Sequence, residues 1–128
     1  MKLLLDTHVF LWFVTNDRRL PSAWLSIIAN GSNTVFLSMA SLWEIAIKSN
    51  LGKLRLDMPF ERLLQDHIEA NGITILPITS SHLIEFERLP LHHRDPFDRL
   101  IVAQSIAEQI AILSVDEAFE QYPIRRVG

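Results

Sequence analysis

Asp6, Glu44, Asp95, Asp98 and Asp116 stand where a purely hydrophobic reading of the chain has no use for a charge. Asp6 ends the apolar run Leu3–Leu5, and Glu44 interrupts SLWEIAI. Asp95 and Asp98 bracket Pro96 in HRDPFDRLIVAQS, and Asp116 follows the apolar run from Ala111 to Val115. Each has a structural use taken alone. Asp95 before Pro96 suits a helix N-cap, and Asp98 suits the positive end of the same helix. Glu44 completes a capping box with Ser41 or pairs with Lys48 four residues on, and Asp6 and Asp116 each precede a helix. Together they have another use. Carboxylates within a few ångströms push one another's pKa values upward unless a cation compensates. With oxygen donors only, no Cys in the chain and no His pair at helical metal spacing, that cation is Mg²⁺ or Mn²⁺ rather than Zn²⁺. Such ions keep bound water and grip phosphate.

The elements must then carry these acids to one place. Apolar or β-branched runs predict strands at Leu3–Leu5, Thr34–Leu37, Ile73–Ile78, Ala111–Val115 and Ile124–Val127. Between them, apolar periodicity and stop signals predict helices from His8 to Val14, from Pro21 to Asn30, and from Ser38 or Ser41 to Leu51 with Gly52 as the stop. Further helices are expected from Asp57 or Pro59 to Asn71, from Ser80 to Leu89, from Pro96 to Gln109 and from Glu117 to Tyr122. Strands and helices alternate five times, which implies an α/β fold with a mostly parallel sheet. The absence of repeats, low-complexity tracts and linkers makes residues 1–128 one domain. In a parallel sheet all strand carboxyl ends share an edge, and the N-termini of the crossover helices gather there. Asp6, Glu44, Asp98 and Asp116 are all expected at that edge.

Composition narrows the function classes. A chain of 128 residues with 48% hydrophobic and 21% charged residues is an ordinary globular protein, large enough for its own core. A net charge of −3 argues against wholesale electrostatic binding of nucleic acid, and the absence of Cys excludes a disulfide scaffold and fits a reducing compartment. The start, MKLLLDTHVFLWFV, reads as strand plus helix rather than a signal peptide, since Asp6 and His8 interrupt it. No apolar stretch reaches the roughly 18–20 residues of a membrane span, so a soluble, cytoplasmic protein is expected.

Four segments in this order, LLLDTHVFLW, SLWEIAIKSNLGKL, HHRDPFDRLIVAQS and LSVDEAF, resemble the PIN-domain ribonucleases, and specifically the VapC-like toxins of bacterial toxin–antitoxin pairs. The resemblance runs nearly end to end. It implies a PIN-like three-layer sandwich whose central five-stranded sheet is flanked by helices. It also implies a metal-dependent endoribonuclease with Asp6, Glu44, Asp98 and Asp116 as catalytic and metal-binding residues, and Mg²⁺ or Mn²⁺ as the ion, one or two per site. In the family pattern the acid before R-L-I-x-A-Q is the catalytic one, which assigns that role to Asp98 and leaves Asp95 as the cap or a supporting group. RNA, with transfer RNA by analogy, is the implied substrate. A cognate antitoxin and a second copy of the chain are the implied protein partners.

Lesser candidates surround this set. Thr7 is read as a turn former, with the alternative of holding a water or phosphate. His92, His93, Arg94 and Arg99, with Lys48, Lys53 and Arg55, are either solvated charges or contacts to RNA phosphates. The helix carrying Leu11, Trp12 and Phe13 is core by default; part of its surface, or that of Trp24 and Trp43, is the expected contact for a partner. Among rivals, an aspartyl phosphatase needs a second Asp two residues after Asp6, where His8 stands. A receiver domain needs an Asp at the end of a central strand, and TVFLS and ITILPI lack one. The alternative kept open is a non-catalytic PIN-fold module that binds RNA or protein.

Overall fold

The structure is a computed structural model, in which residues 1–92 and 95–127 are described. Five short strands form one sheet: β1 (Lys2–Leu5), β2 (Thr34–Ser38), β3 (Thr74–Leu76), β4 (Ala111–Leu113) and β5 (Arg126–Val127). Their order is β3-β2-β1-β4-β5 and every pairing is parallel, with Leu5 opposite Leu37 on one side and Leu113 on the other. Strands covered on both faces read as unbroken apolar runs, which is why LLL and AIL carry no alternation. Alternate residues nonetheless face opposite layers. Leu5, Val35, Leu37 and Leu113 join one core cluster, while Leu4, Ile112 and Leu76 join the other.

Helices α1 (Thr7–Thr15), α2 (Ser22–Ala29), α3 (Met39–Asn50) and α4 (Phe60–Leu63) supply the first cluster, through Val9, Phe10, Trp24, Ile45 and Leu63. α4 widens directly into a π-helical segment, Leu64–Glu69, which adds Ile68. On the other face α6 (Pro96–Glu108) contributes Ile101 and Val102, and the 3₁₀ turn Glu117–Gln121 contributes Phe119. α5 (Ser80–Arg88) packs along α6, where buried His82 bonds Glu108 at 3.0 Å. The three-layer arrangement expected from the sequence is therefore present. Trp24 is a correction: it lies in the core and offers no partner surface. Trp43 is 57% exposed.

Element ends follow local chemistry. β3 stops at Leu76 rather than Ile78 because Pro77 has no N–H for the ladder. β5 starts at Arg126 rather than Ile124, whose N–H closes a turn on the Tyr122 carbonyl at 2.8 Å. Gly52 holds φ +73° just past α3, the left-handed turn a side chain would resist. Among the described residues no helix is long and apolar enough to cross a membrane.

The start of α3 is set by Ser38, whose fully buried hydroxyl accepts from Ala40 N–H at 2.9 Å. Ser38→Ala should lower unfolding free energy by about 0.5–2 kcal/mol, the usual loss for an N-cap. Urea denaturation checks this; an unchanged midpoint would show that the cap is replaceable.

Candidate active site

The chain adds strands outward from β1 through β2 to β3, then returns to place β4 and β5 on the other side of β1. The order therefore reverses between β1 and β4, and in open parallel sheets the crevice outside the carboxyl ends at such a reversal is where ligands bind. Asp6 is the first residue beyond β1. Its N–H donates to the carbonyl of Leu113 at 3.1 Å, which ties it to the end of β4. It precedes α1 but its side chain makes no cap; instead Oδ2 accepts the Ser114 hydroxyl at 2.7 Å. Ser114 Oγ also accepts Asp116 N–H at 2.9 Å, so one buried hydroxyl positions the two acids that flank the reversal.

Glu44 arrives from the second turn of α3. Because Ser38 caps that helix, the capping box expected between Ser41 and Glu44 does not form. Ser41 instead accepts the Thr7 hydroxyl at 2.7 Å, a buried bond that joins α1 to α3 and keeps Thr7 inside the fold. Glu44 is 4% exposed. Lys48 Nζ donates to its Oε2 at 2.7 Å, while Oε1 is buried with no hydrogen-bond partner among the described residues.

Asp95 and Asp98 divide the labour at the head of α6. Asp95 is the cap: its Oδ1 accepts from Phe97 N–H at 2.8 Å and from Asp98 N–H at 3.4 Å. Burial pushes the Asp98 carboxyl up to about 7, and the charges of Asp95, Asp6, Glu44 and Asp116 push the same way. Burial also raises Asp6, against the lowering effects of the Ser114 hydroxyl and of the His8 charge and backbone; Asp116 adds to the rise. Lys48 is raised by its hydrogen bond to Glu44, whose charge acts with those of Asp95 and Asp98 to hold it protonated. Asp116 is exposed and caps the 3₁₀ turn through Ala118 N–H at 2.9 Å, so its capping role is realised beside the acidic cluster.

The basic candidates separate. Arg99 lies with its guanidinium 4.7 Å from the Phe86 ring centroid and an Nη2 donor 3.4 Å from the Leu89 carbonyl, fastening the segment after α5. His92 stacks edge-on against Tyr122, with ring centroids 5.0 Å apart. His93 and Arg94 lie outside the described residues. Lys48, Lys53 and Arg55 line a cavity of about 500 Å³ that also reaches Thr7 and Glu44. Ser114 is the residue that sequence reasoning missed. Its only signal was its place two residues before Asp116, and a serine after a strand is usually a turn former.

The donor chemistry fits a hard divalent ion, with oxygens only and one orphaned, buried carboxylate oxygen on Glu44. Among the described residues, however, no group of three or more His, Asp or Glu side chains is placed to hold a metal ion as it stands. One oxygen of Glu44 is taken by Lys48 and one of Asp6 by Ser114.

A PIN-domain family model matches residues 3–124. Comparison with curated proteins finds no sequence match. Among solved structures, the chain is similar to one in the complex of VapBC2 from Rickettsia felis with a promoter DNA fragment. That likeness has 17% identity and TM-score 0.74, and covers 99% of this chain and 98% of the other. FitAcB from Neisseria gonorrhoeae gives 18% identity and TM-score 0.68, with coverages of 98% and 96%. VapBC-1 from nontypeable Haemophilus influenzae gives 12% and 0.68, with coverages of 99% and 97%.

Two outcomes follow from this geometry. The folded-state value of about 7 for Asp98 lies above the ordinary carboxylate value of roughly 3.9, so the folded chain binds the extra proton between them. In chelator, stability should fall as pH rises from about 4 to about 7 and level off above that, and Asp98→Asn should flatten that fall; a pH dependence as steep in the variant as in the parent would refute the assignment. Asp95→Ala should cost about 0.5–2 kcal/mol, whereas Asp95→Asn should stay within a few tenths, as equal caps do. Equal losses in the two variants would mean that charge, not capping, is the role of Asp95.

Proposed function

The chain belongs to the PIN-domain family, and from that premise we propose that it is a Mg²⁺- or Mn²⁺-dependent endoribonuclease, acting in the cytoplasm as the toxin of a toxin–antitoxin pair. The observation that carries the reading is the convergence on Asp98 of charge from Asp6, Glu44 and Asp116, residues brought from separate elements to the reversal of the sheet. Asp6, Glu44 and Asp98 would hold one ion, and Asp116 would help to hold a second. Bound there, the ion would supply Lewis acidity toward a phosphodiester and its attacking water.

The chain's own groups arrange the rest. Ser114 orients the Asp6 carboxylate, and Asp95 fixes the first turn of α6 so that Asp98 is presented without being consumed as a cap. Lys53 and Arg55 line the adjoining cavity, alongside Asp17 and Asp57, and would supply contacts to a phosphate backbone. For partners, the reading includes a cognate antitoxin and a second copy of the chain. Fold likeness to chains of VapBC2, FitAcB and VapBC-1 supports the antitoxin. The exposed apolar side chains of Trp43 and Leu83, which line one shallow apolar pocket with Phe97, support protein contact at that surface. Transfer RNA is the substrate class proposed by analogy with VapC-like toxins.

A second reading, a PIN-fold module that binds RNA or protein without cutting it, draws on one observation: among the described residues, the carboxylates as placed do not close on an ion. Expression with and without the genomic neighbour, followed by sequencing of RNA ends, separates the two. Growth arrest with discrete cuts, relieved by the neighbour, supports the toxin; intact RNA supports the module.

With purified protein, Mg²⁺ or Mn²⁺ should support RNA cleavage and a chelator should stop it. Asp6→Asn or Asp98→Asn should lower kcat/KM by more than about 100-fold, and Ser114→Ala by about 10–100-fold, the range for losing a group that orients a metal ligand. A variant that cuts at the parental rate removes its residue from the mechanism.

A further inference from the structure

We infer that Lys48 is a built-in counter-cation of the acidic crevice: its ammonium holds Glu44 until a divalent cation takes that carboxylate, so Lys48 is a positioning residue that sets metal affinity. The inference rests on the proposed metal-dependent reading and concerns what this chain does before a cation arrives.

An i,i+4 glutamate–lysine pair on a helix is ordinarily a solvated surface contact of little consequence. This pair differs in three ways. Its carboxylate is buried, with 6% of the Glu44 side chain exposed against 44% of Lys48. A buried carboxylate without a cation beside it is strongly disfavoured, so the 2.7 Å contact from Nζ to Oε2 is the compensation the fold itself provides. Next, the other oxygen, Oε1, is buried with no hydrogen-bond partner among the described residues, so the Glu44 carboxylate is only half satisfied. Last, the charges of Asp95 and Asp98 act on Lys48 along with that of Glu44, which a simple surface pair would not show.

An ammonium and a divalent ion cannot share Glu44 without mutual repulsion. Lys48 has the means to leave, because a lysine is a point charge on a flexible four-carbon arm rather than a rigid fork. It also has somewhere to go. The cavity of about 500 Å³ that begins at Thr7 and Glu44 is lined further on by the carboxylates of Asp17 and Asp57 as well as by Lys53 and Arg55, so a released ammonium would find water and acidic oxygens within it. Lys48 already occupies one Glu44 oxygen at 2.7 Å, which is the closed arrangement such a latch requires.

The test uses the full chain and two probes. Free Mn²⁺ is counted by electron paramagnetic resonance in titrations of wild type, Lys48→Met and Lys48→Arg, with Tm measured in chelator and in saturating Mn²⁺. In parallel, the Lys48 ¹⁵Nζ resonance of the wild-type protein is followed through a MgCl₂ titration. Removing one unit charge a few ångströms from the ion should tighten Mn²⁺ binding in Lys48→Met by about tenfold, whereas Lys48→Arg, whose rigid fork leaves the carboxylate less readily, should bind Mn²⁺ more weakly than wild type. Lys48→Met should also have the lower Tm in chelator and the larger Tm gain on adding Mn²⁺. The ¹⁵Nζ resonance should move from a carboxylate-bound position to that of a solvated lysine as Mg²⁺ saturates. A resonance that stays put at saturation overturns the latch, even if Lys48→Met binds more tightly through charge alone. Equal Mn²⁺ affinity in wild type and Lys48→Met overturns it while leaving the metal site standing. No uptake by either protein overturns the metal-dependent reading and the latch with it. Should Lys48→Met fail to fold, the wild-type resonance decides alone.

Discussion

Like charges pressed into a half-buried crevice repel, and the local structure around the sheet's reversal is arranged around that repulsion. Asp6 cannot move away, because its backbone is bonded to the end of β4 and its carboxylate to Ser114. Asp98 cannot either, because the turn that carries it is fixed by Asp95 and by Pro96 at the first helical position. Burial itself raises the Asp98 carboxyl to about 7 and raises Asp6, and neighbouring acids add to the rise, several of them at Asp98 and Asp116 alone at Asp6. A site of this kind stores an affinity for positive charge. Folding assembles it, and on the proposed reading a divalent cation would relieve it.

The arrangement works because structural duties have been moved to other side chains. Helix starts need acceptors, and an acid at a helix start is normally engaged as one. Here Ser38 begins α3 and Asp95 begins α6, while α1 begins at Asp6 without a side-chain cap. Glu44 and Asp98 are thereby released from capping, and Asp6 is released by Ser114. The two acids in HRDPFD are thus not redundant: one closes the helix end so that the other can remain uncommitted. Asp116 is the exception, serving as a cap while adding its charge to the cluster.

Much of this was legible in the sequence because it depends on topology. Alternating strands and helices dictate a parallel sheet, and a parallel sheet places residues that follow β1 and β4, and those that open α3 and α6, on one edge. The apolar runs at Leu3–Leu5 and Ala111–Leu113 and the stop at Gly52 needed only local chemistry. What was not legible depends on which partner a side chain selects among several within reach. Ser38 and Ser41 compete for the start of α3, and only the packing of α1, through Thr7, settles that Ser41 faces inward. Ser114 looks like any turn serine until the Asp6 carboxylate is seen beside it. Trp24 could have been surface or core, since a short helix with Trp24, Leu25, Ile27 and Ile28 has more apolar side chains than one buried face requires.

Lys48 links the two levels. On the helix it is a commonplace partner for Glu44, and propensity alone would put it there. In the folded chain the same contact decides whether the acidic edge is tolerable without an external cation. A buried carboxylate that found no counter-charge would favour a protonated or rearranged crevice. With an ammonium already in place, the Glu44 carboxylate has a counter-charge of its own without an external cation. On the proposed metal-dependent reading, the counter-charge must be weaker than the ion it stands in for, so that the ion can displace it. A single charge on a flexible, half-exposed arm meets that condition, whereas a planar guanidinium with several fixed donors would bind the carboxylate in a rigid fork. The choice of lysine at this position is therefore a choice of a cation that can be exchanged.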